Sequence, residues 1–284
     1  MPYIKTDDGV QLYYESVGEG TPILFVHEYA GDHRSWEPQM RYFARHFRCI
    51  AYSARGYTPS DIPTSADDYS QHRVSEDIRC MLDGLNIQRA HVVGLSMGAF
   101  ATLHFGMRYA TDPAHSRALS LTLAGCGTGS HPSAYAGFQQ ESIALADRIQ
   151  AEGMAEVAKT YSQAPTRLAF KRKDPRGFEE FARMMGEHST PGSSLTARGY
   201  QGRRPSLYAL TDQIARVAVP TLVLTGDEDE PCLEPSLMLK RTIPGAALGI
   251  LPASGHGINL EEPALFNQLL SDFLMRVTVH SSRS

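Results

Sequence analysis

What this chain lacks narrows it first. No stretch approaches the roughly 20 consecutive apolar residues that a membrane-spanning helix needs. The opening residues, Met1-Pro2-Tyr3-Ile4-Lys5-Thr6-Asp7-Asp8, carry no basic-then-apolar leader, so the expected location is the cytoplasm. There is no excess of positive charge: the net charge of −4 implies neither a nucleic acid nor a membrane surface as partner. The four cysteines, Cys49, Cys80, Cys126 and Cys232, form no close-spaced pair, and no His/Cys cluster has zinc-finger spacing. Buried apolar thiols are the expectation for Cys49 and Cys80, and packing is favoured for Cys126 and Cys232, which fall near strand ends. No internal repeat is apparent.

What remains is ordinary for a globular protein, with 42% hydrophobic and 20% charged residues in 284 positions. That length accommodates one large α/β domain, or a core domain with a big insertion. Strand-forming runs lie at 10–15, 22–26, 49–52, 91–95 and 119–124. Helical spacing lies between them at 35–46, with Trp36 as a core anchor, and at 72–85 and 98–109. Strands alternating with helices predict a mostly parallel sheet covered on both faces. The alternation stops at Gly125. Up to about Val217 the pattern is helical, with helices expected over 134–150, 154–163, 175–188 and 205–215. It resumes with a strand at 220–226, a helix at 235–242, a strand at 247–251 and a last helix from Glu262-Pro263. The tail 280–284 is expected to fray.

The chemistry centres on Gly94-Leu95-Ser96-Met97-Gly98. Ser96 falls between a strand and a helix, the setting of a nucleophile elbow, with glycine two residues to either side. A serine hydroxyl is a poor nucleophile until a base takes its proton and a carboxylate orients that base. The best base is His256, in the loop Ser254-Gly255-His256-Gly257 after a predicted strand. Most of the other histidines have duller readings: packing or surface for His91 and His104, exposure for His115, His131 and His188. The carboxylate is expected in Gly226-Asp227-Glu228-Asp229, again directly after a strand.

In order and spacing, the elbow, Gly226-x-x-Asp229 and Gly255-His256 followed by Glu261-Glu262-Pro263 resemble the α/β-hydrolase-fold superfamily, in its serine-nucleophile branch, over essentially the whole chain. The resemblance implies an α/β-hydrolase core at 1–126 and 218–284, with a helical cap (lid) at 127–217. It selects Asp229 over Asp227. It implies an oxyanion hole from the backbone N–H of Met97 and that of Tyr29, on the loop after Val26. Many members read His-Gly-x on that loop, whereas this chain reads His27-Glu28-Tyr29. Two readings of Glu28 stand side by side: a carboxylate turned away to pair with a nearby cation such as Arg34 or Arg55, or one that enters the pocket and binds a cationic or hydroxylated substrate group or serves as an extra acid/base. The cluster Lys171-Arg172-Lys173, with Arg167, Arg176 and Arg183, reads as a solvated face in preference to a carboxylate-binding rim.

The expected activity is hydrolysis of a small, mainly apolar ester, lactone or related acyl compound, with no cofactor and no metal. Carbon–carbon bond hydrolysis, perhydrolysis or a lyase reaction by the same residues is the alternative, as is a ligand sensor with little turnover. A small-molecule substrate is the expected partner, and a homo-oligomer stays open.

Overall fold

A computed structural model of the chain describes residues 2–281. Eight strands form one sheet: β1 (Tyr3–Lys5), β2 (Gln11–Val17), β3 (Pro22–Val26), β4 (Arg48–Tyr52), β5 (Ala90–Leu95), β6 (Ala118–Ala124), β7 (Thr221–Gly226) and β8 (Ala247–Leu251). Their spatial order is β1-β2-β4-β3-β5-β6-β7-β8. The first two strands run antiparallel to their neighbours and the other pairings are parallel, so the expected mostly parallel sheet is present. The short β1 was not expected from the sequence, and it pairs only with β2.

The central strands are apolar along their length because helices cover both faces. Alternation along β3 sorts its side chains. Ile23 and Phe25 join Trp36, Met40 and Phe43 of α1 (Glu37–Phe43, with Trp36 just before it), while Leu24 and Val26 face the opposite core. Trp36 is fully buried, its ring 5.0 Å from that of Phe25 and 6.1 Å from that of Phe266. The opposite core is filled by α2 (Gln71–Gly84) and α3 (Met97–Tyr109). The helix expected over 35–46 is split: a 3-10 turn, His33–Trp36, precedes α1. Asp32 caps that turn by accepting from the Arg34 N–H at 2.8 Å.

Between β6 and β7 the chain forms α4 (Pro132–Glu152), α5 (Met154–Tyr161), α6 (Leu168–Lys173), α7 (Pro175–Gly186), α8 (Thr190–Thr196), a π turn (Ala197–Gln201) and α9 (Thr211–Ile214). α6 and α8 were not expected, being short and interrupted by polar residues. The helix expected over 205–215 is instead a 3-10 turn, Leu207–Leu210, followed by α9. Phe170, Phe178 and Phe181 pack on one another inside the insertion, with centroids 5.9 to 6.2 Å apart. The insertion shares its apolar cluster with the sheet, and hydrogen bonds tie it down, among them three to the backbone. Tyr200 Oη donates to Met97 O (2.8 Å), Tyr29 Oη donates to Ser193 O (3.0 Å), and the His256 N–H donates to Thr166 O (2.8 Å).

The chain closes with α10 (Glu230–Thr242), α11 (Ile258–Glu261) and α12 (Pro263–Ser281). α10 starts earlier than expected because Pro231 sits in its first turn, where no N–H is needed. Of the tail expected to fray, residues 282–284 lie outside the described residues. No helix among the described residues is long and apolar enough to cross a membrane.

Candidate active site

Ser96 stands between β5 and α3 with φ 53° and ψ −114°, a conformation side chains rarely adopt. The surroundings over-determine it. The Ser96 N–H donates to Ala124 O of the next strand at 2.7 Å. The two flanking glycines allow the close approach: a Cβ on Gly94 would lie 2.3 Å from Gly98 O, and one on Gly98 would lie 2.1 Å from Val26 O. The turn presses the start of α3 against the end of β3 and holds the serine hydroxyl up beside the loop that follows β3.

His256 lies on the loop after β8. Glu261 holds that loop on either side of the ring, accepting from the Gly255 N–H (2.7 Å) and the Gly257 N–H (2.8 Å) with its two oxygens. The imidazole bridges the site: Nε2 is 2.7 Å from Ser96 Oγ, and Nδ1 is 2.6 Å from Asp229 Oδ2. Burial pushes the Asp229 carboxyl up, but the charge and hydrogen bond of His256 more than offset it and hold it below the usual carboxylate value. An ionised Asp229 accepts, so Nδ1 carries the proton and Nε2 is free to accept from the serine. Asp227 is elsewhere: it is exposed and accepts from the Ser254 N–H at 3.0 Å.

The loop after β3 is braced by residues that the sequence did not single out. His27 Nδ1 donates to Glu28 O (2.7 Å), and its Nε2 accepts from the Ala54 N–H (2.9 Å). Burial pushes His27 down to about 4, so it stays neutral and can do both. Tyr57 Oη donates to Tyr29 O at 2.9 Å. Among the described residues, the Tyr29 and Met97 N–H groups have no hydrogen-bond partner. They lie at the ends of β3 and β5, which are adjacent strands.

Glu28 pairs with neither Arg34 nor Arg55. Arg34 is held by Asp32 and Glu187, and Arg55 by Asp77 and Asp8. Glu28 is instead bound by both arms of Arg167, from the insertion. Burial alone would push the Glu28 carboxyl up; the guanidinium more than offsets this and holds it below its usual value. Its carboxylate is therefore not free to meet a substrate, and it is Arg167, not Glu28, that reaches the cavity wall. The expectation of Glu28 as a substrate-binding residue gives way to this pairing, which joins residues 139 positions apart in sequence.

That cavity, of about 630 Å³, opens over Ser96 and His256 and is walled by Tyr29, Tyr161, Arg167 and Arg204 among others. Of the basic cluster, Arg167 is buried in the cavity wall, against the solvated reading, while the other members lie outside the cavity: Arg172 pairs with Glu228 and Lys173 with Glu262. All four cysteines are buried and unbridged. Cys232 Sγ comes within 3.9 Å of His256 Nδ1 and donates to Gly125 O at 3.4 Å. Among the described residues, Asp229, Cys232 and His256 are the one group with ligand atoms close enough to hold a metal, all within 4.8 Å. Burial pushes the Cys232 thiol well above its usual value, which keeps it protonated, and a metal there would take the atoms that join His256 to Asp229. His188, expected to be exposed, is buried, 3.6 Å from Asp32 and stacked edge-on to Tyr57.

Comparison with known proteins agrees with this fold. The family model described as alpha/beta hydrolase fold matches residues 21–263. An AB hydrolase superfamily protein, YisY, of Bacillus subtilis is 28% identical over 276 residues, covering 95% of this chain and 98% of that protein. A 3-oxoadipate enol-lactonase of Acinetobacter baylyi is 26% identical, covering 90% of this chain and 89% of its own. The solved structure of a hydrolase from Pseudomonas aeruginosa superposes with a TM-score of 0.81 at 27% identity, covering 96% and 97% of the two chains. With the family model spanning most of the chain and the sheet order and site geometry in accord, the protein belongs to the α/β-hydrolase fold family.

Proposed function

We propose that the protein is a serine hydrolase that cleaves a small ester, lactone or related acyl compound by way of an acyl-enzyme. The observation that carries this reading is the bridge made by His256, 2.7 Å from Ser96 Oγ on one side and 2.6 Å from Asp229 on the other. Ser96 Oγ adds to the acyl carbon as Nε2 takes its proton. The Tyr29 and Met97 N–H groups receive the oxyanion. Asp229 fixes the tautomer and stabilises the imidazolium, which then protonates the leaving group. A water activated by the same Nε2 cleaves the acyl-enzyme and regenerates the serine.

In this reading residues 127–217 are a cap over the core at 1–126 and 218–284. The cap closes the cavity over the nucleophile and thins the water around the reacting atoms. Glu28 serves the site through Arg167, which it neutralises and holds in the cavity wall. Support also comes from the names of the relatives: the Acinetobacter protein is an enol-lactonase, whose bond type falls in the proposed class.

The test is a short-chain p-nitrophenyl ester assay on the wild type and Ser96→Ala, run beside labelling with a fluorophosphonate probe. Loss of about three orders of magnitude or more in kcat, together with loss of labelling, is expected. Equal hydrolysis by the two proteins would remove Ser96 from the mechanism.

A further inference from the structure

Three arginines are buried among the described residues: Arg55, Arg167 and Arg204. Arg55 is held by Asp77 at 2.7 Å and Asp8 at 2.9 Å, and Arg167 by Glu28. Arg204 is only 3% exposed, yet among the described residues no carboxylate oxygen lies within 4.0 Å of its nitrogens. It lines the same cavity as Ser96 and His256. The carboxylates of that wall, Glu141, Glu228 and Glu230, are exposed, and Glu228 is taken by Arg172.

The guanidinium is held in position. Nη1 donates to Gln201 Oε1, and Nη2 donates to Thr128 O at 2.6 Å. Its central carbon lies 3.8 Å from the centroid of the Phe100 ring and 4.5 Å from that of Phe138. Its own backbone is pinned by Tyr200 O, which accepts its N–H at 2.9 Å, and by Tyr135 Oη, which donates to its carbonyl at 3.1 Å. These hydrogen bonds use two of five N–H groups.

A neutral glutamine could supply two donors for the same two acceptors. The charge therefore exceeds what tying Thr128 to Gln201 requires, and burying it without a counter-ion is costly. Burial pushes the guanidinium down from its ordinary value, the mark of a cation without its anion. A planar fork with unused donors, facing a cavity, matches a carboxylate. The second cation in the wall, Arg167, is not available, because Glu28 holds it.

We propose that Arg204 receives a carboxylate on the substrate, so that the site takes acyl compounds with an anionic far end, such as half-esters of short dicarboxylic acids. The reaction half of this statement rests on the serine-hydrolase reading above; the binding half does not. Arg204 is then a specificity-determining residue. It anchors the remote end while Ser96 attacks the acyl carbon, and the product carboxylates leave together.

The experiment compares monoethyl succinate, glutarate and adipate with ethyl esters of uncharged acids of matched length, on the wild type, Arg204→Gln and Arg204→Lys. The wild type is expected to prefer one half-ester in kcat/KM. Arg204→Gln loses that preference by about ten- to a hundredfold, chiefly in KM, so that the half-ester loses far more than the uncharged ester. Arg204→Lys restores part of it. A purely structural Arg204 would lower both ester classes equally, and that result overturns the proposal. Calorimetric binding of succinate, glutarate and adipate to the wild type, each against its diamide, covers the case in which the variants fail to fold. No preference for any diacid over its diamide also overturns it. If no ester is cleaved but a diacid binds, and binds through Arg204, the reaction reading fails and this site stands.

Discussion

Glu28, on the loop that follows β3, and Arg167, from the helical insertion, form a fully buried two-armed ion pair. It joins the loop carrying the free Tyr29 N–H to the wall of the cavity above Ser96. Two charges out of water gain little over two apolar groups, but stranding either one is expensive. Glu28→Gln and Arg167→Gln are each expected to lower the unfolding free energy by about 3–5 kcal/mol, with the double substitution costing clearly less than their sum. A double-mutant cycle in urea checks this, and additive losses would mean that the two charges do not depend on each other. Glu28→Gly, which restores the residue common in the family, is expected to behave as a stranding mutation rather than a repair.

The two acids of the β7 loop are separated in place, and the proposed mechanism separates them in role. Asp229 is buried against His256 Nδ1, and Asp227 is exposed against a backbone N–H. Asp229→Asn keeps the shape but removes the charge that fixes the tautomer. A fall of about three to four orders of magnitude in kcat is expected. Asp227→Asn is expected to stay within about threefold, because an exposed carboxylate contributes little to a reaction it does not touch. Kinetics on the ester that the wild type cleaves best decide the point. Equal losses would reassign the orienting acid.

How much of this was legible in the sequence follows from how local each feature is. Ser96 could be read because the elbow is made within five residues, and its glycines are dictated by contacts with Gly98 O and Val26 O that any such turn makes. His256 and Asp229 could be read because each sits in a short loop after an apolar strand. Arg204 was not singled out, and Arg167 appeared only as one of a basic cluster. An arginine in a run of polar residues looks the same whether it ends in solvent or between Phe100 and Phe138. Glu28 was noticed as a departure, but its partner lies 139 positions away and no periodicity connects them. The short helices α6 and α8 exist through tertiary packing rather than through propensity, which is weak over so few residues. His188 read as exposed for the same reason: the Tyr57 ring that covers it comes from the core.

The Tyr57 hydroxyl donates to Tyr29 O at 2.9 Å and so braces the residue whose N–H is the proposed oxyanion donor. Tyr57→Phe keeps the ring against His27 and His188 and deletes only that donor. A drop of about tenfold in kcat is expected, with KM nearly unchanged, because a misaimed oxyanion donor is felt in the transition state more than in the bound ester. Stability should fall by about 1–2 kcal/mol for the acceptor left without its donor. A rise in KM at constant kcat would instead place Tyr57 in substrate binding.

Three histidines held down by their surroundings, His27, His91 and the part-buried His104, should make the fold sensitive to mild acid. Burial pushes His27, His91 and His104 each down to about 4. In the unfolded chain they titrate near pH 6.5, so between about 6.5 and 4 the unfolded state takes up protons that the native state refuses. The contribution is whole above pH 6.5, declines as the pH falls, and is lost by pH 4. For one such histidine it amounts to up to about 3 kcal/mol. Carboxylates held below their usual values, such as Glu28 and Asp229, add their own loss only under about pH 4. Asp77 and Glu261, pushed up by burial, act in the opposite direction. The clean measurement is therefore a difference. His91 lies in β5 and bonds Ser120 Oγ at 2.7 Å, so His91→Gln removes one titrating group without touching the site residues. Urea unfolding at pH 7.5, 6.0 and 5.0 should show a shallower loss for the variant than for the wild type. Parallel pH dependences would show that His91 does take up its proton in the native state.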